Sequence, residues 1–498
     1  MPFQALAVAA TLLTVVPHGN RIELRLDHGS AELLWASSGT FRFRRVLEGA
    51  LPKIEWMDRD PVEVETQDTP SEVRLRTKAI EVTILKNGVL ITVQRRDGVT
   101  LMHDLSDPRS ESAGVVWDRA MPAGTEYYGL GPRIDDSFGL RGKSVRAETP
   151  FLVSSAGYGE FHPSGGPYRF DFTGSDAYRV QGPEIDYYFY FGPTPKEIFE
   201  EHNQPPRQAV PWMVVNERFG TWPGLKASLL RIVQAAMSAS NAPVFELAAY
   251  NSAPEELKAR ARQLGSLVAR MTPGAVGKSG FRTQLDTFYG SYIAELQDRG
   301  FPVWHPLAFQ FPDDKESVRH VDEFLLGDEM LVAPIVDPGD KRSVYVPRGT
   351  WTNLETNETV RGPATIAVET KSLPVWARNG AILPLDSKNG MGLHYFPNLG
   401  GEFFLLEGDI AEYSQVHAAP ALDFMRLEIE SKKDRDYQWV VHHVEKPTGV
   451  GFEEKKYREA AKLEDLADGT WWWDAVHKNL HVRVKVKAGE DCIINLNF

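Results

Sequence analysis

Alternation of apolar and polar residues marks both ends of the chain. Ile22-Glu23-Leu24-Arg25-Leu26 and Val73-Arg74-Leu75-Arg76 repeat with period two, as strands with one buried face do. Residues 80–85 and 89–93 are β-branched runs separated by Lys86-Asn87-Gly88, and Asn-Gly suits the positive φ angles of a tight hairpin. Arg96-Asp97-Gly98 offers a second turn, and the aromatic run 185–191 reads as a heavily packed strand. Thr194 at the N-cap, Pro195 at the first helical position and Glu197 at the third predict a capping box and a short helix to His202. The texture changes after Pro205-Pro206. Short strands at Met213-Val214-Val215 and Val244-Phe245-Glu246-Leu247 alternate with helical spacing over 225–238 and 288–297, the latter ended by Gly300. Ser252-Ala253-Pro254-Glu255 predicts another helix start, with Ser252 as its cap. Strands return at 322–336, 343–347 and 374–382, and period two is clear again at 427–430 and 480–486. The expectation is a multidomain, β-dominated protein: an N-terminal β-sandwich over 1–204, a reduced α/β segment over 205–305, a proximal C-terminal β-sandwich over 306–386 and a distal β domain over 387–498.

Composition narrows the classes. The 498 residues are 42% hydrophobic and 25% charged, which argues against a disordered chain and against a polytopic membrane protein. A net charge of −13 with no basic block argues against nucleic acid as a partner. The single Cys492 excludes an internal disulfide framework and a multi-Cys zinc site, and fits a cytoplasmic location. Residues 5–16 are apolar, but no basic residue precedes Arg21 and the run is shorter than the roughly 20 residues a bilayer requires. That run is expected to be a first buried strand with a turn at Pro17-His18-Gly19-Asn20, and no membrane association is expected.

Five blocks carry a resemblance to a known family. They are Tyr128-Gly129-Leu130-Gly131; Pro150-Phe151-Leu152-Val153-Ser154 with Gly157-Tyr158-Gly159; and Asp186-Tyr187-Tyr188-Phe189 with Gly192-Pro193-Thr194-Pro195. The fourth runs from Gly300-Phe301-Pro302-Val303 through Phe311-Pro312-Asp313-Asp314 to Phe324-Leu325-Leu326-Gly327-Asp328-Glu329-Met330-Leu331. The fifth joins Val346-Pro347-Arg348-Gly349-Thr350-Trp351 to Pro374-Val375-Trp376-Ala377-Arg378. In this order the blocks resemble glycoside hydrolase family 31, the α-glucosidase and α-xylosidase family. The resemblance implies a (β/α)₈ barrel between the N-terminal sandwich and Pro306. A complete barrel takes about 250 residues, whereas the roughly 100 residues from Pro205 to His305 suffice for two or three β/α units. The chain is therefore expected to hold a truncated barrel remnant, with the seam of the deletion near residues 215–220.

The departures from the family pattern bear on chemistry. Retaining glycosidases need two carboxyl groups about 5–5.5 Å apart. The family's nucleophile lies in a Trp-x-Asp-Met-Asn-Glu block, which is absent from this sequence. Its acid/base is the Asp that closes Trp-x-Gly-Asp, but here Trp222-Pro223-Gly224 runs into Leu225. The Asp-Ile-Gly-Gly turn falls at Leu247-Ala248-Ala249-Tyr250, which has neither the Asp nor the glycines, and the Arg-x-His sugar clamp near Arg270-Met271-Thr272, where no His follows the Arg. Glu217 and Glu246 remain at expected strand ends, as strand-end residues in solvent or in ion pairs, or as a rebuilt catalytic pair. Trp222 and Arg270 are the candidate substrate-binding residues.

Asp135-Asp136 and Asp313-Asp314 lack the ligand number of a calcium loop. His442-His443 is expected in a strand over 440–444, with its rings on opposite faces. Trp471-Trp472-Trp473 reads as core packing before a sugar platform. Ser154 lacks a nucleophile elbow, and Gly129-Leu130-Gly131 lacks the helix of a phosphate loop. No metal and no cofactor is expected. The expected function is that of a degenerate family 31-like protein without the usual retaining activity, with a carbohydrate-binding or structural role. The alternative is an active glycoside-processing hydrolase using Glu217 and Glu246, and below both stands an evolutionary remnant without selected activity. Because an incomplete barrel exposes strand edges, a second copy or a partner subunit is expected to cover it.

Overall fold

The computed structural model describes residues 9–56, 60–204, 213–215, 220–239, 243–268, 270–271, 281–388, 390–408 and 412–498. Packing divides the chain into two units. One comprises Met1–Pro211, Gln234–Ser240 and Arg299–Phe301, and the other Trp212–Val233, Asn241–Asp298 and Pro302–Phe498.

The first unit is antiparallel throughout its described sheets. An eight-stranded sheet runs in the order Leu12–His18, Arg21–Leu26, Ser30–Trp35, Thr40–Val46, Ile185–Phe191, Tyr158–Phe161, Phe151–Ser154, Tyr127–Gly129. Two five-stranded sheets accompany it, over 65–103 and over 109–182. One hydrophobic core joins Trp35, Phe41 and Phe189 to Val82, Ile91, Trp117 and Tyr178. The expected hairpin is present: Ile80–Leu85 pairs with Leu90–Arg95, and Gly88 supplies a φ of +84° at the turn. Gly98, at φ +90°, makes the second turn. The apolar run near the N-terminus forms a strand only from Leu12. It is an edge strand with Leu12 buried and Leu13 exposed, which corrects the expected buried strand; residues 1–8 lie outside the described set.

Helix α1 (Pro195–Asn203) begins as its sequence dictates. Thr194 is the N-cap, and its backbone N–H and hydroxyl both donate to the Glu197 carboxylate, at 2.9 and 2.7 Å. Gly129, Leu130 and Gly131 are three successive left-handed residues, at φ +98°, +68° and +102°, and the Gly131 N–H donates to Ser238 Oγ at 2.8 Å. A side chain at Gly129 would overlap the Phe151 carbonyl. This motif is a tight backbone passage rather than a phosphate loop.

Charges are buried inside this sandwich. Arg119 is ion-paired with Glu160 and, at 3.0 Å, with Asp104, while His162 Nε2 lies 2.7 Å from Glu160. Burial alone would raise the Glu160 carboxyl, but Arg119 and His162 outweigh it and hold it below its ordinary value. The Arg119 guanidinium also lies over the Tyr187 ring at 4.6 Å. Removing one member strands the others, a loss of about 3–5 kcal/mol for buried pairs of this kind.

The second unit holds one parallel sheet among its described residues: Met213–Val215, Pro243–Phe245 and Arg270–Met271, in that order. Helix α2 (Trp222–Ala236) links the first two strands and helix α3 (Glu255–Gly265) the last two. Pro254 rather than Ser252 is the N-cap of α3: its extended backbone, at φ −56° and ψ 151°, delays the helix until Glu255. Helices α4 (Phe281–Gln284) and α5 (Asp286–Arg299) follow.

A six-stranded sheet then spans 304–378, packed around Leu325, Leu331, Trp351 and Trp376. The expected strand over 322–336 is two short strands, Phe324–Leu326 and Met330–Val332, joined by a tight turn. Two further six-stranded sheets make up residues 382–497. The architecture is thus β-dominated with a small α/β segment, as the pattern of the sequence implies.

Gly327 makes the tight turn possible. Its φ is +60°, and a side chain there would overlap the Tyr292 ring of α5. Gly327→Ala is expected to destabilise the second unit by roughly 2–4 kcal/mol through left-handed strain and overpacking. Gly339→Ala, also left-handed at φ +102° but with open space around it, should cost less. Thermal unfolding of both variants beside the wild type checks the difference.

Candidate functional site

In parallel α/β units, ligands and catalytic groups gather beyond the C-terminal ends of the strands. Four groups singled out by sequence belong to this segment. Glu246 directly follows the middle strand, half-buried, and leads into a 3₁₀ turn over Leu247–Tyr250. No hydrogen-bond or ion-pair partner of its carboxylate occurs among the described residues. Glu217 lies outside the described residues, as does most of the supposed seam, so the Glu217/Glu246 pair is not formed by any described geometry. Arg270 stands on the third strand, its backbone paired with Val244; its side chain is outside the described set. Trp222 opens α2 and is half-buried.

Two features close this region down. Gly220 approaches the backbone of Ala249 and Tyr250 so tightly that a Cβ would overlap it. Leu225, in the first turn of α2, is 0% exposed. The helix continues with Leu229, Ile232, Val233 and Ala236 buried, so its start is built to pack rather than to present a carboxylate. A cavity of about 90 Å³ lies beside the 3₁₀ turn, lined by Leu247, Tyr250, Asn251, Lys258 and Arg262. Small-molecule sites usually hold about 300–1,000 Å³.

A larger cavity, about 440 Å³, lies elsewhere in the second unit, on the sheet that includes Gly390–Tyr395 and Arg435–Val441. His394 and His442 meet there, Nδ1 to Nε2 at 3.1 Å. The expected strand over 440–444 ends at Val441, and His443 turns away at φ +52°. His442 therefore faces a histidine from the neighbouring strand, a contact that spacing along one strand does not reveal. Burial lowers the His394 imidazole to about 4 and takes His442 well below its ordinary value, with His394 adding to the effect on His442. Among the described residues no group of three or more His, Cys, Asp or Glu side chains is arranged to hold a metal.

The remaining candidates have structural partners. Asp135 pairs with Arg133 at 2.8 Å and Lys143 at 3.0 Å. Asp314 accepts from the Tyr345 hydroxyl at 2.5 Å and from the Glu316 N–H at 3.0 Å. Trp471 is buried, while Trp472 and Trp473 are half-buried. Glu329, in the turn after Gly327, is a buried carboxyl that sequence reasoning passed over. It accepts from the Tyr292 hydroxyl at 2.6 Å and from the Asp328 N–H at 3.1 Å. Burial, reinforced by the negative charge of Asp328, raises it to about 8.

An antiparallel sandwich unit, a short parallel β/α segment and further β-sheets make up the architecture. Residues 300–383 match the Glycosyl hydrolase family 31 C-terminal domain. An alpha-glucosidase of Saccharolobus solfataricus is 38% identical over 96 residues, covering 19% of this chain and 14% of that protein. Alpha-glucosidase 2 of Bacillus thermoamyloliquefaciens is 29% identical over 188 residues, covering 32% of this chain and 23% of that one. The matched parts are thus well under two thirds of these relatives' lengths. A family 31 dextranase of Flavobacterium johnsoniae, solved with glucose, shares the fold with a TM-score of 0.81 at 14% identity, over 99% of this chain and 100% of that one. Residues 300–383 thus carry the family 31 C-terminal domain, and the fold along the chain is that of the family 31 dextranase. No described helix is long and apolar enough to cross a membrane.

The raised Glu329 sets a pH dependence. The fold favours the protonated form, so its contribution is complete below the ordinary carboxyl value of 4.5 and is lost as pH rises toward about 8. From pH 6.5 to 8 the stability of the wild type is expected to fall relative to Glu329→Gln, by on the order of 2 kcal/mol. Denaturant unfolding of both proteins across that window measures it, and parallel curves would show that Glu329 is already ionised in the fold.

Proposed function

We propose that this chain is a degenerate member of family 31 that binds carbohydrate without the usual retaining hydrolysis, on a truncated barrel. One observation carries the reading. The position that the resemblance gives to the acid/base carboxylate is Leu225, fully buried in the first turn of α2. Retaining hydrolysis requires two carboxyl groups flanking the scissile bond, and the nucleophile block is missing from the sequence as well. The relatives named alpha-glucosidase and the dextranase solved with glucose support α-glucosides as the class of sugar.

A second reading rests on Glu246, which follows the middle parallel strand and has no partner among the described residues. In that reading Glu246 and Glu217 form a rebuilt pair. Hydrolysis of a panel of aryl α- and β-glycosides, beside Glu217→Gln and Glu246→Gln, separates the two. The expected result is no turnover above background, together with calorimetric binding of gluco-oligosaccharides. Turnover that either variant loses would establish the rebuilt catalyst and overturn the non-hydrolytic reading.

The same truncation bears on assembly. Among the described residues the parallel sheet has three strands, so both of its outer strands present edges. We propose that a second copy or a partner subunit covers this segment. Light scattering of the purified protein is expected to give a dimer mass or larger; a monomer whose 213–271 segment resists proteolysis would sink this idea.

A further inference from the structure

One wall of the cavity of about 440 Å³ in the second unit is laid down by the two-residue repeat of one sheet. Strands Gly390–Tyr395 and Arg435–Val441 are parallel neighbours, with Gly392 opposite Gln438 and His394 opposite Val440. On their outer sides Leu385 pairs with Gly392, and His481 with Val440. Paired residues share a face. Gly392, His394, Gln438, Val440 and His481 therefore stand on one side, while Met391, Leu393, Tyr395, Trp439 and Val441 enter the core. The same row continues to Trp472, which pairs with His481 and whose ring lies 5.3 Å from it.

The chemistry of the walls is distinctive. Gln438 Nε2 contacts His481 Nδ1 at 3.2 Å, which leaves its Oε1 as an acceptor. Asn353 Oδ1 accepts from the N–H groups of Glu355 and Thr356, which leaves its amide NH₂ as a donor. Asn357 donates to the His477 carbonyl at 3.2 Å, which leaves its Oδ1 as an acceptor. Phe396, stacked on His442 with ring centroids 4.2 Å apart, lines the cavity together with Leu385 and Val440 as apolar surface. Among the described residues no Lys or Arg lines the cavity, which disfavours an anion. The one carboxylate among its described lining residues, Asp386, already accepts from the N–H and hydroxyl of Thr287, at 2.8 and 2.7 Å, which disfavours a cation. Burial holds His394 and His481 at about 4, so both are neutral near pH 7. Neutral amide donors and acceptors around apolar and aromatic surface match a ligand that is uncharged, rich in hydroxyls and apolar on its ring faces. The volume falls within the range of about 300–1,000 Å³ that small molecules occupy.

We propose that this pocket is a saccharide-binding site, separate from the ends of the parallel strands, that takes one or two sugar units. The inference rests on the carbohydrate reading of the chain for its ligand class, but its location is independent of Glu217 and Glu246. Gly392 bears on the fit: a Cβ there would lie 3.2 Å from His394 Nε2, so the strand leaves room where a side chain would crowd the imidazole.

The test is titration calorimetry with maltose and with isomaltose on the full chain, its Gln438→Leu and Asn357→Gly variants, and Glu246→Gln. Gln438→Leu keeps much of the side-chain bulk while removing the acceptor. Asn357→Gly keeps the positive φ of +59° while removing the amide. Each pocket variant is expected to weaken binding at least tenfold, with an unfolding temperature close to that of the wild type. Binding that survives both pocket variants and is lost in Glu246→Gln would overturn the pocket while leaving the carbohydrate reading intact. Absence of binding to either sugar by the wild type would overturn both.

Discussion

The two-residue repeat of the β-strand governs most of this molecule. In Ile22-Glu23-Leu24 or Met391-Gly392-Leu393-His394 it decides which side chains enter a core and which remain on a face. A shift of one residue would exchange the two sets, so register and burial are locked together. The sheet that includes Gly390–Tyr395 shows the consequence across several strands. Its core side carries Met391, Leu393, Tyr395, Trp439 and Val441, and its other side collects His394, Gln438, His481 and Trp472 from distant parts of the sequence.

Buried polarity is handled in two ways. In the first, Arg119 is ion-paired with the carboxylates of Glu160 and Asp104 inside the sandwich, and opposite charge sustains the pair there. In the second, Glu329 is kept in its neutral form by burial and by the neighbouring charge of Asp328, with Tyr292 and a backbone N–H as its donors. Perturbed groups often mark active sites, yet Glu329 is held in a turn beneath α5, where its hydrogen bonds fix the path of the backbone.

Local features were legible wherever one principle acted alone. The Asn87-Gly88 hairpin, the Thr194/Glu197 cap, the spacing of α2 and the stop at Gly300 follow from short-range chemistry. Ser252 misled because Pro254 imposes an extended conformation between it and the helix. The buried strand expected over 5–16 misled because apolarity alone does not tell an edge strand from a central one. The period-two pattern made the β-dominated architecture legible, but the end of the parallel strands was only partly so, since Glu217 is not among the described residues. The histidine-lined cavity was invisible for another reason. His394, Gln438 and His481 lie tens of residues apart and become neighbours only through strand pairing, which a single sequence does not reveal.

The burial of Leu225 limits what this position can hold. An aspartate there would place a carboxylate in a site with no solvent exposure, and burying an unpaired polar group costs about 2–7 kcal/mol. That cost is a large part of the margin by which a typical domain stays folded, about 5–15 kcal/mol. The packing of α2 therefore excludes an acidic side chain from its first turn on grounds of folding alone.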